Sequence, residues 1–158
     1  MDKKINKTNA MRLLDEAKVE YEVIDYTDKN FTNGEEIASY LNQDPSLVFK
    51  TLVTVGKSHE HYVFVIPVNK ELNLKKAAKA VGEKNIEMVK SKELLPLTGY
   101  IHGGCSPIGM KKYFKTTFDI SILDKDKIYF SGGKIGYQVK LNVKDISKVI
   151  EFNIDELV

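Results

Sequence analysis

Residues 48–68 read VFKTLVTVGKSHEHYVFVIPV, two apolar runs rich in β-branched residues on either side of a polar segment. Such runs predict strands at 48–55 and 61–68, and the polar segment 56–60 predicts the turn that joins them. The second run is far too short to cross a bilayer, which takes about 20 apolar residues. It therefore predicts a strand buried in the interior of a globular domain.

Helical and strand patterns flank this hairpin on both sides, without a repeat or a low-complexity linker. Apolar periodicity and capping residues predict helices at 6–18, from Thr32 or Asn33 to 41, at 74–81 before Gly82, for one turn at 91–95, and at 143–150 after Asn142. Short strands are predicted at 19–26, 86–89, 100–101, 113–118, 127–130 and 137–141, and a turn or helix start at 44–46. The mixture predicts a single α/β (α+β) domain over residues 1–158, with a mixed, largely antiparallel sheet flanked by helices.

The composition is that of an ordinary globular protein, with 42% hydrophobic and 29% charged residues. The formal net charge is +2, from 24 basic and 22 acidic residues. This is a small excess for a protein that grips a nucleic-acid duplex along its length, but it suits a partner that presents only a few phosphates. The chain starts without the apolar core of a secretory signal, and its single cysteine excludes an internal disulfide. A cytoplasmic location is therefore expected.

The single cysteine, Cys105, lies three residues after His102 in a Gly-Gly-Cys-Ser-Pro loop. A catalytic thiolate needs a base or a positive field and an orienting third group, which these two residues alone do not supply. A small, semi-buried side chain in a tight turn is the favoured interpretation. Metal binding at residues 59–61 (HEH) is disfavoured as well, because they lie in a predicted turn and the only sulfur ligand is distant in sequence. Neither a metal nor another cofactor is expected.

Three segments suit the binding of an anionic ligand. Lys50 interrupts an apolar strand, where an ammonium group is unfavourable unless it reaches water, a carboxylate or an anion. The loop 103–109 (GGCSPIG) and the turn 131–133 (SGG) can each expose backbone N–H groups that line an anion or oxyanion site. The alternative is an outward-pointing lysine and two ordinary tight turns. The residues alone leave that choice open.

Four segments, in this order along the chain, together resemble a known family: 49–53 (FKTLV), 72–79 (LNLKKAAK), 98–112 (TGYIHGGCSPIGMKK) and 128–134 (IYFSGGK). The chain is similar to the YbaK/EbsC family, which contains Cys-tRNA(Pro) deacylases and is related to the editing domain inserted in bacterial prolyl-tRNA synthetases. The resemblance implies the fold of that family, with a barrel-like core. It also implies an enzyme that removes wrong amino acids from tRNA by lyase- or hydrolase-type ester cleavage. Such editing is needed because a prolyl pocket cannot reject smaller amino acids by binding alone.

The resemblance assigns roles to individual residues. Lys50 would be the essential lysine, which steers the terminal adenosine or phosphate and the ester. The residues implied to bind substrate are Tyr26, Phe31, Thr51, Gly103, Gly104, Ser131, Gly133 and Gln138. For a cysteinyl ester the implied mechanism uses no protein nucleophile, because the substrate's own thiol attacks its carbonyl while backbone N–H groups stabilise the oxyanion.

Two departures from the family pattern bear on specificity. Cys105 occupies a position that is typically aliphatic, and Gln138 stands where cysteine-specific members carry an acid. Cys-tRNA(Pro) is the expected substrate. Ala-tRNA(Pro) or another mischarged tRNA is an alternative, and so is a non-catalytic module that binds an aminoacyl-adenosine or a nucleotide. The expected partners are the acceptor end of mischarged tRNA and, as an option, prolyl-tRNA synthetase, with neither DNA nor a membrane among them.

Overall fold

The computed structural model describes residues 6–29, 31 and 33–158. Within them the chain forms four α-helices: α1 (Asn9–Glu16), α2 (Gly34–Tyr40), α3 (Leu74–Val81) and α4 (Ser91–Thr98). The strands are β1 (Tyr21–Asp25), β2 (Phe49–Gly56), β3 (His61–Pro67), β4 (Ile86–Met88), β5 (Lys115–Asp119), β6 (Lys127–Ser131), β7 (Tyr137–Asn142) and β8 (Asn153–Asp155). Short 3₁₀ segments occupy Pro45–Leu47, Ile120–Asp124 and Val143–Lys148. No α-helix in the described ranges has both the length and the hydrophobicity that a membrane span requires.

The strands form two sheets that meet at one bridge. The first sheet has the order β1-β7-β6 and is antiparallel throughout. The second has the order β4-β2-β3-β5-β8, with antiparallel pairs around β2 and parallel pairs around β5. A parallel bridge between Val48 and Tyr129 connects the start of β2 to β6. The predicted mixed sheet flanked by helices is confirmed, and in the described part of the chain the strands do not close into a barrel.

The β2–β3 hairpin is the centre of the fold because both of its faces are covered. On one face Phe49 and Val53 join a core that also contains residues of α1, β6 and β7. On the other face Phe64 and Ile66 pack in a cluster with alanines of α3. Strands buried on both faces read as continuous apolar runs, which explains the lack of alternation at residues 62–68. Each fully buried side chain of this size contributes about 1.5–3 kcal/mol.

The boundaries of two helices follow from single residues, as predicted. The Asn33 side chain accepts a hydrogen bond from the Glu36 N–H at 2.9 Å and caps α2. Gly82 adopts φ +75° and ends α3 in the left-handed region. Thr32, the other predicted cap of α2, lies outside the described residues, as does the start of the chain at 1–5.

Two predictions around α4 are wrong. This helix runs through Pro96 to Thr98 instead of stopping after one turn. It tolerates the proline because the hydrogen bond that Pro96 forfeits would go to the carbonyl of Lys92, an exposed residue. Residues 100–101 do not form a strand either. Tyr100 is buried and donates its hydroxyl to the Ile108 carbonyl at 2.6 Å, which ties this segment to the loop that follows.

The predicted helix at 143–150 is also corrected. Residues Val143–Lys148 form a 3₁₀ segment, and the Asn142 side chain does not cap it. Only Asp145 and Ile146 of the segment are buried. The 3₁₀ conformation is typical of short connections such as this one between β7 and β8. Few of its side chains are buried, so little packing energy stabilises a longer α-helix.

Candidate active site

A row of polar side chains crosses one face of the joined sheets. Side chains alternate between the faces of a strand, so residues 48 and 50 share a face, as do residues 129 and 131. The parallel bridge between Val48 and Tyr129 joins the two strands at that point, so Lys50 and Ser131, each two residues farther along, lie on the same face of the joined sheets. Ser131 is paired with Gln138 of β7. We call Lys50, Ser131 and Gln138 the polar row.

Two glycine segments meet beside the polar row. We call residues 103–109 the glycine loop and residues 131–136 the glycine turn. A Cβ added to Gly104 would lie 2.9 Å from the Ile135 backbone nitrogen, so the two segments are in van der Waals contact at their backbones. Gly133 has φ +96°, and a Cβ there would lie 3.2 Å from Cε1 of Tyr100. Only glycine permits this close approach, which brings the backbones of both segments to one place.

Ser131 shapes the end of the polar row. Its Oγ accepts a hydrogen bond from the Gly133 N–H at 3.2 Å. A hydroxyl that accepts one bond retains a proton to donate. Ser131 therefore holds the glycine turn in place and still offers a donor to a ligand.

Lys50 lies half-buried at the start of β2. Its Nζ is 3.5 Å from the Val68 carbonyl oxygen, and within the described ranges no carboxylate forms an ion pair with it. The start of α2 covers this end of the sheet, because a Cβ on Gly34 would lie 2.7 Å from Cγ1 of Val68. A partly desolvated ammonium group without a counter-ion favours the binding of an anionic ligand.

Tyr26 is connected to the site by a backbone hydrogen bond to the glycine turn. Its backbone N–H donates to the Gly136 carbonyl at 2.7 Å, and its side chain is buried. Burial raises the pKa of Tyr26, so the phenol stays neutral at physiological pH. Tyr26 can therefore contribute a hydrogen-bond donor or an aromatic wall.

Phe31 packs against α2, and Thr51 faces away from the polar row. Phe31 is half-buried against Tyr40 of α2, with 5.1 Å between the ring centroids. Thr51 follows Lys50 in β2, so its side chain leaves the opposite face of the strand. The Thr51 hydroxyl is buried and has no hydrogen-bond partner in the described part of the chain. Lys50 and Thr51 are thus neighbours in sequence that do not share a surface.

Gln43 is a component of the site that the sequence did not suggest. Its Nε2 donates to Oε1 of Gln138 at 2.7 Å, and Nε2 of Gln138 donates back to Oε1 of Gln43 at 3.3 Å. Gln43 follows α2 and is separated from Gln138 by 95 positions. A lone glutamine in a turn carries no sequence signal of such a contact.

Cys105 is buried inside the glycine loop, as its interpretation as a structural side chain requires. Burial raises the pKa of the Cys105 thiol to about 12. The thiol is therefore protonated at neutral pH and is a poor nucleophile. Within residues 6–29, 31 and 33–158, no group of three or more His, Cys, Asp or Glu side chains could hold a metal ion.

We expect Cys105 to react slowly with a thiol reagent such as DTNB in the folded protein and rapidly in urea. At pH 8 a thiol of this pKa carries roughly 1,000-fold less thiolate than an unperturbed one. The raised pKa also predicts that stability falls as the pH rises above about 9, because the unfolded chain then releases a proton that the folded chain retains. Rapid labelling of the native protein at pH 8 would contradict the buried position.

Two grooves, of about 600 and 330 Å³, lie away from the polar row. The smaller one is lined in part by the glycine loop at Pro107–Gly109, and neither is lined by the polar row.

Comparison with known proteins identifies the family. Residues 28–149 match the model of the aminoacyl-tRNA editing domain. The chain belongs to this family. The resemblance drawn from the four sequence segments is thereby confirmed, and the whole polar row lies within the matched residues of this editing domain.

Two relatives and one solved structure are similar to this chain. This chain is 46% identical over 136 residues to a protein of Enterococcus faecalis named "Putative Cys-tRNA(Pro)/Cys-tRNA(Cys) deacylase EbsC", with 85% of this chain and 83% of that protein covered. It is 31% identical over 100 residues to the proline–tRNA ligase of Thermosipho melanesiensis, covering 58% of this chain and 17% of the ligase. The crystal structure of "a putative trans-editing enzyme for prolyl tRNA synthetase" has the same fold, with a TM-score of 0.79, 20% identity and 94% of each chain covered.

Proposed function

We propose that this protein is a trans-editing aminoacyl-tRNA deacylase that removes a wrong amino acid from mischarged tRNA, with Cys-tRNA(Pro) as its principal substrate. The observation that carries the proposal is the polar row beside two glycine segments in a chain of the editing-domain family. The name of the E. faecalis relative supports the choice of substrate. Residues 1–158 act as one deacylase domain in this proposal.

Lys50 and Ser131 bind the acceptor end of the tRNA. The last nucleotide carries the aminoacyl ester on its ribose, and a phosphate precedes it. The Lys50 ammonium group, which has no counter-ion in the described part of the chain, attracts that phosphate and fixes the terminal adenosine. The Ser131 hydroxyl donates to a ribose or ester oxygen. Tyr26, Phe31 and Thr51 stay assigned to substrate binding, Thr51 through its backbone.

The glycine segments stabilise the transition state. The thiol sulfur of the cysteinyl group attacks the ester carbonyl carbon, a C–S bond forms, and the carbon–oxygen bond to the ribose breaks. The thiol proton ends on the ribose oxygen through solvent, so free tRNA and a cyclic thiolactone leave. The backbone N–H of Gly103 stabilises the negative charge that builds on the carbonyl oxygen. The N–H groups of Gly104 and Gly133 hold the loop and the turn in place, because they donate to the Ile101 carbonyl and the Ser131 hydroxyl. The protein supplies orientation and electrostatics, and no protein nucleophile is needed.

The partners follow from the charge of the chain. A formal net charge of +2 suits a grip on the acceptor end alone, with few phosphates contacted. In the proposal the enzyme acts in the cytoplasm on tRNA that prolyl-tRNA synthetase has mischarged, and it works free or in association with that synthetase. Neither DNA nor a membrane takes part.

Release of labelled amino acid from Cys-, Ala- and Ser-tRNA(Pro) tests the proposal directly. We expect Cys-tRNA(Pro) to be cleared fastest. Ser-tRNA(Pro) should be at least about 100-fold slower, because a hydroxyl is a far weaker nucleophile than a thiol in the same position. Mass spectrometry of the released product should show the thiolactone before it hydrolyses.

The outcomes separate the alternatives. Equal rates on Cys- and Ala-tRNA(Pro) would exclude the thiol-assisted mechanism. The protein would then be a deacylase of broader specificity. No release above the buffer rate from any of the three would overturn the enzyme and leave a module that binds the aminoacyl-adenosine end. Equilibrium binding of a non-hydrolysable aminoacyl-adenosine would then identify it.

A further inference from the structure

We propose that Gln43 is a positioning residue, which holds the Gln138 amide against the aminoacyl part of the substrate and thereby helps to set which amino acid is removed. This inference rests on the proposed deacylase function. It concerns two side chains from different parts of the fold, one after α2 and one in β7.

The two glutamines form a reciprocal amide pair. The distances are 2.7 Å from Nε2 of Gln43 to Oε1 of Gln138 and 3.3 Å in the opposite direction. Gln138 is only 4% exposed, so an unpaired amide there would be destabilising. The sequence contains two glutamines in all, and each is the partner of the other.

The backbone of Gln43 is fixed by the end of α2. Asn42 adopts φ +55° and its N–H donates to the Ser39 carbonyl at 3.1 Å. The N–H of Gln43 donates to the Ala38 carbonyl at 2.8 Å. These two bonds form the Schellman motif that ends many helices. Gln43 therefore extends from a rigid point, and its pairing restricts the rotamers of Gln138.

The position of Gln138 indicates which part of a bound substrate it contacts. It is paired with Ser131 on one side and with Ile24 on the other, so it lies next to the donor that we assign to the ester. An amide has two donor hydrogens and two acceptor lone pairs, and the pair with Gln43 uses one of each. The remaining hydrogen and lone pair of Gln138 are held in a fixed direction. They recognise the amino group or the side chain of the aminoacyl moiety by hydrogen bonding without a charge.

A double-mutant cycle tests the inference. Gln43→Met and Gln138→Met keep the length of the side chains and remove the amides, and the variant that carries both changes completes the cycle. We expect each single variant to change the ratio of kcat/KM for Cys-tRNA(Pro) over Ala-tRNA(Pro) by about 3- to 10-fold. The double variant should resemble the single ones, because the two side chains act as one unit. Asn85→Met, at an exposed amide before β4, is the control and should leave the ratio unchanged.

Several outcomes would overturn the inference. An unchanged ratio in Gln43→Met, with an active wild-type enzyme, would exclude a positioning role and leave the proposed function intact. Equal loss on both substrates together with a lowered Tm would mean that Gln43 only stabilises the fold. Additive effects in the double variant would show that the two side chains act separately. Absence of release by the wild-type protein would instead overturn the proposed function, and this inference with it.

Discussion

Replacement of Lys50 by alanine should lower kcat/KM for deacylation by at least about 100-fold, the effect expected when one electrostatic contact to the reacting end is removed. In the described part of the chain no carboxylate neutralises this ammonium group, and it lies on the same face as Ser131 in the polar row. Its loss removes the charge that fixes the acceptor end. Single-turnover release of cysteine from Cys-tRNA(Pro) measures the chemical step, and tRNA titration measures binding.

Matched variants separate this effect from a general loss of positive charge. Lys57→Ala removes an exposed lysine from the turn between β2 and β3 and should leave the rate within about 2-fold, as is usual for surface charges. Lys50→Arg keeps the charge with a different geometry and should recover only part of the activity. An active Lys50→Ala protein together with an inactive Cys105→Ser protein would contradict the assignment of Lys50 and make Cys105 the catalytic residue.

The local structure could be predicted from the sequence where single residues or short periodicities determine it. The β2–β3 hairpin follows from two apolar runs around a polar turn, and Gly82 marks the end of α3 because few other residues adopt its φ. The prediction failed at Pro96, where a penalty of one hydrogen bond was too small to end the helix. Packing decides such cases, and the sequence does not display it.

The site was predictable in part. Lys50 stands out as a charge in an apolar strand. The two glycine segments stand out because each contains a pair of adjacent glycines. Their arrangement depends on the bridge from Val48 to Tyr129, across 81 positions of sequence, which no local pattern encodes. The same limit hid the partner of Gln138. The direction of Thr51, in contrast, was predictable, because side chains alternate along a strand and Thr51 follows Lys50.

The largest effect on stability is expected from Gly136→Ala. Gly136 has φ +96°, and an added Cβ would lie 2.5 Å from Cγ2 of Thr27 and 2.9 Å from its Cα. Backbone strain and overpacking together should lower the free energy of unfolding by about 2–5 kcal/mol. The glycine turn would move away from β1, and the hydrogen bond from the Tyr26 N–H to the Gly136 carbonyl would weaken. Activity should therefore fall even in the fraction that remains folded.

Gly82→Ala supplies the control, because Gly82 has a similar φ of +75° but nothing within 4 Å of an added Cβ. It isolates the dihedral penalty, which is about 1–2 kcal/mol for a left-handed residue. Urea denaturation measures the free energy of unfolding of both variants. The difference between their two losses is the steric contribution at Gly136. If the two variants lost equal stability, the contact between the glycine turn and Thr27 would be looser than the structure has it. Loss of activity in Gly136→Ala would then have to arise from the altered dihedral angle alone.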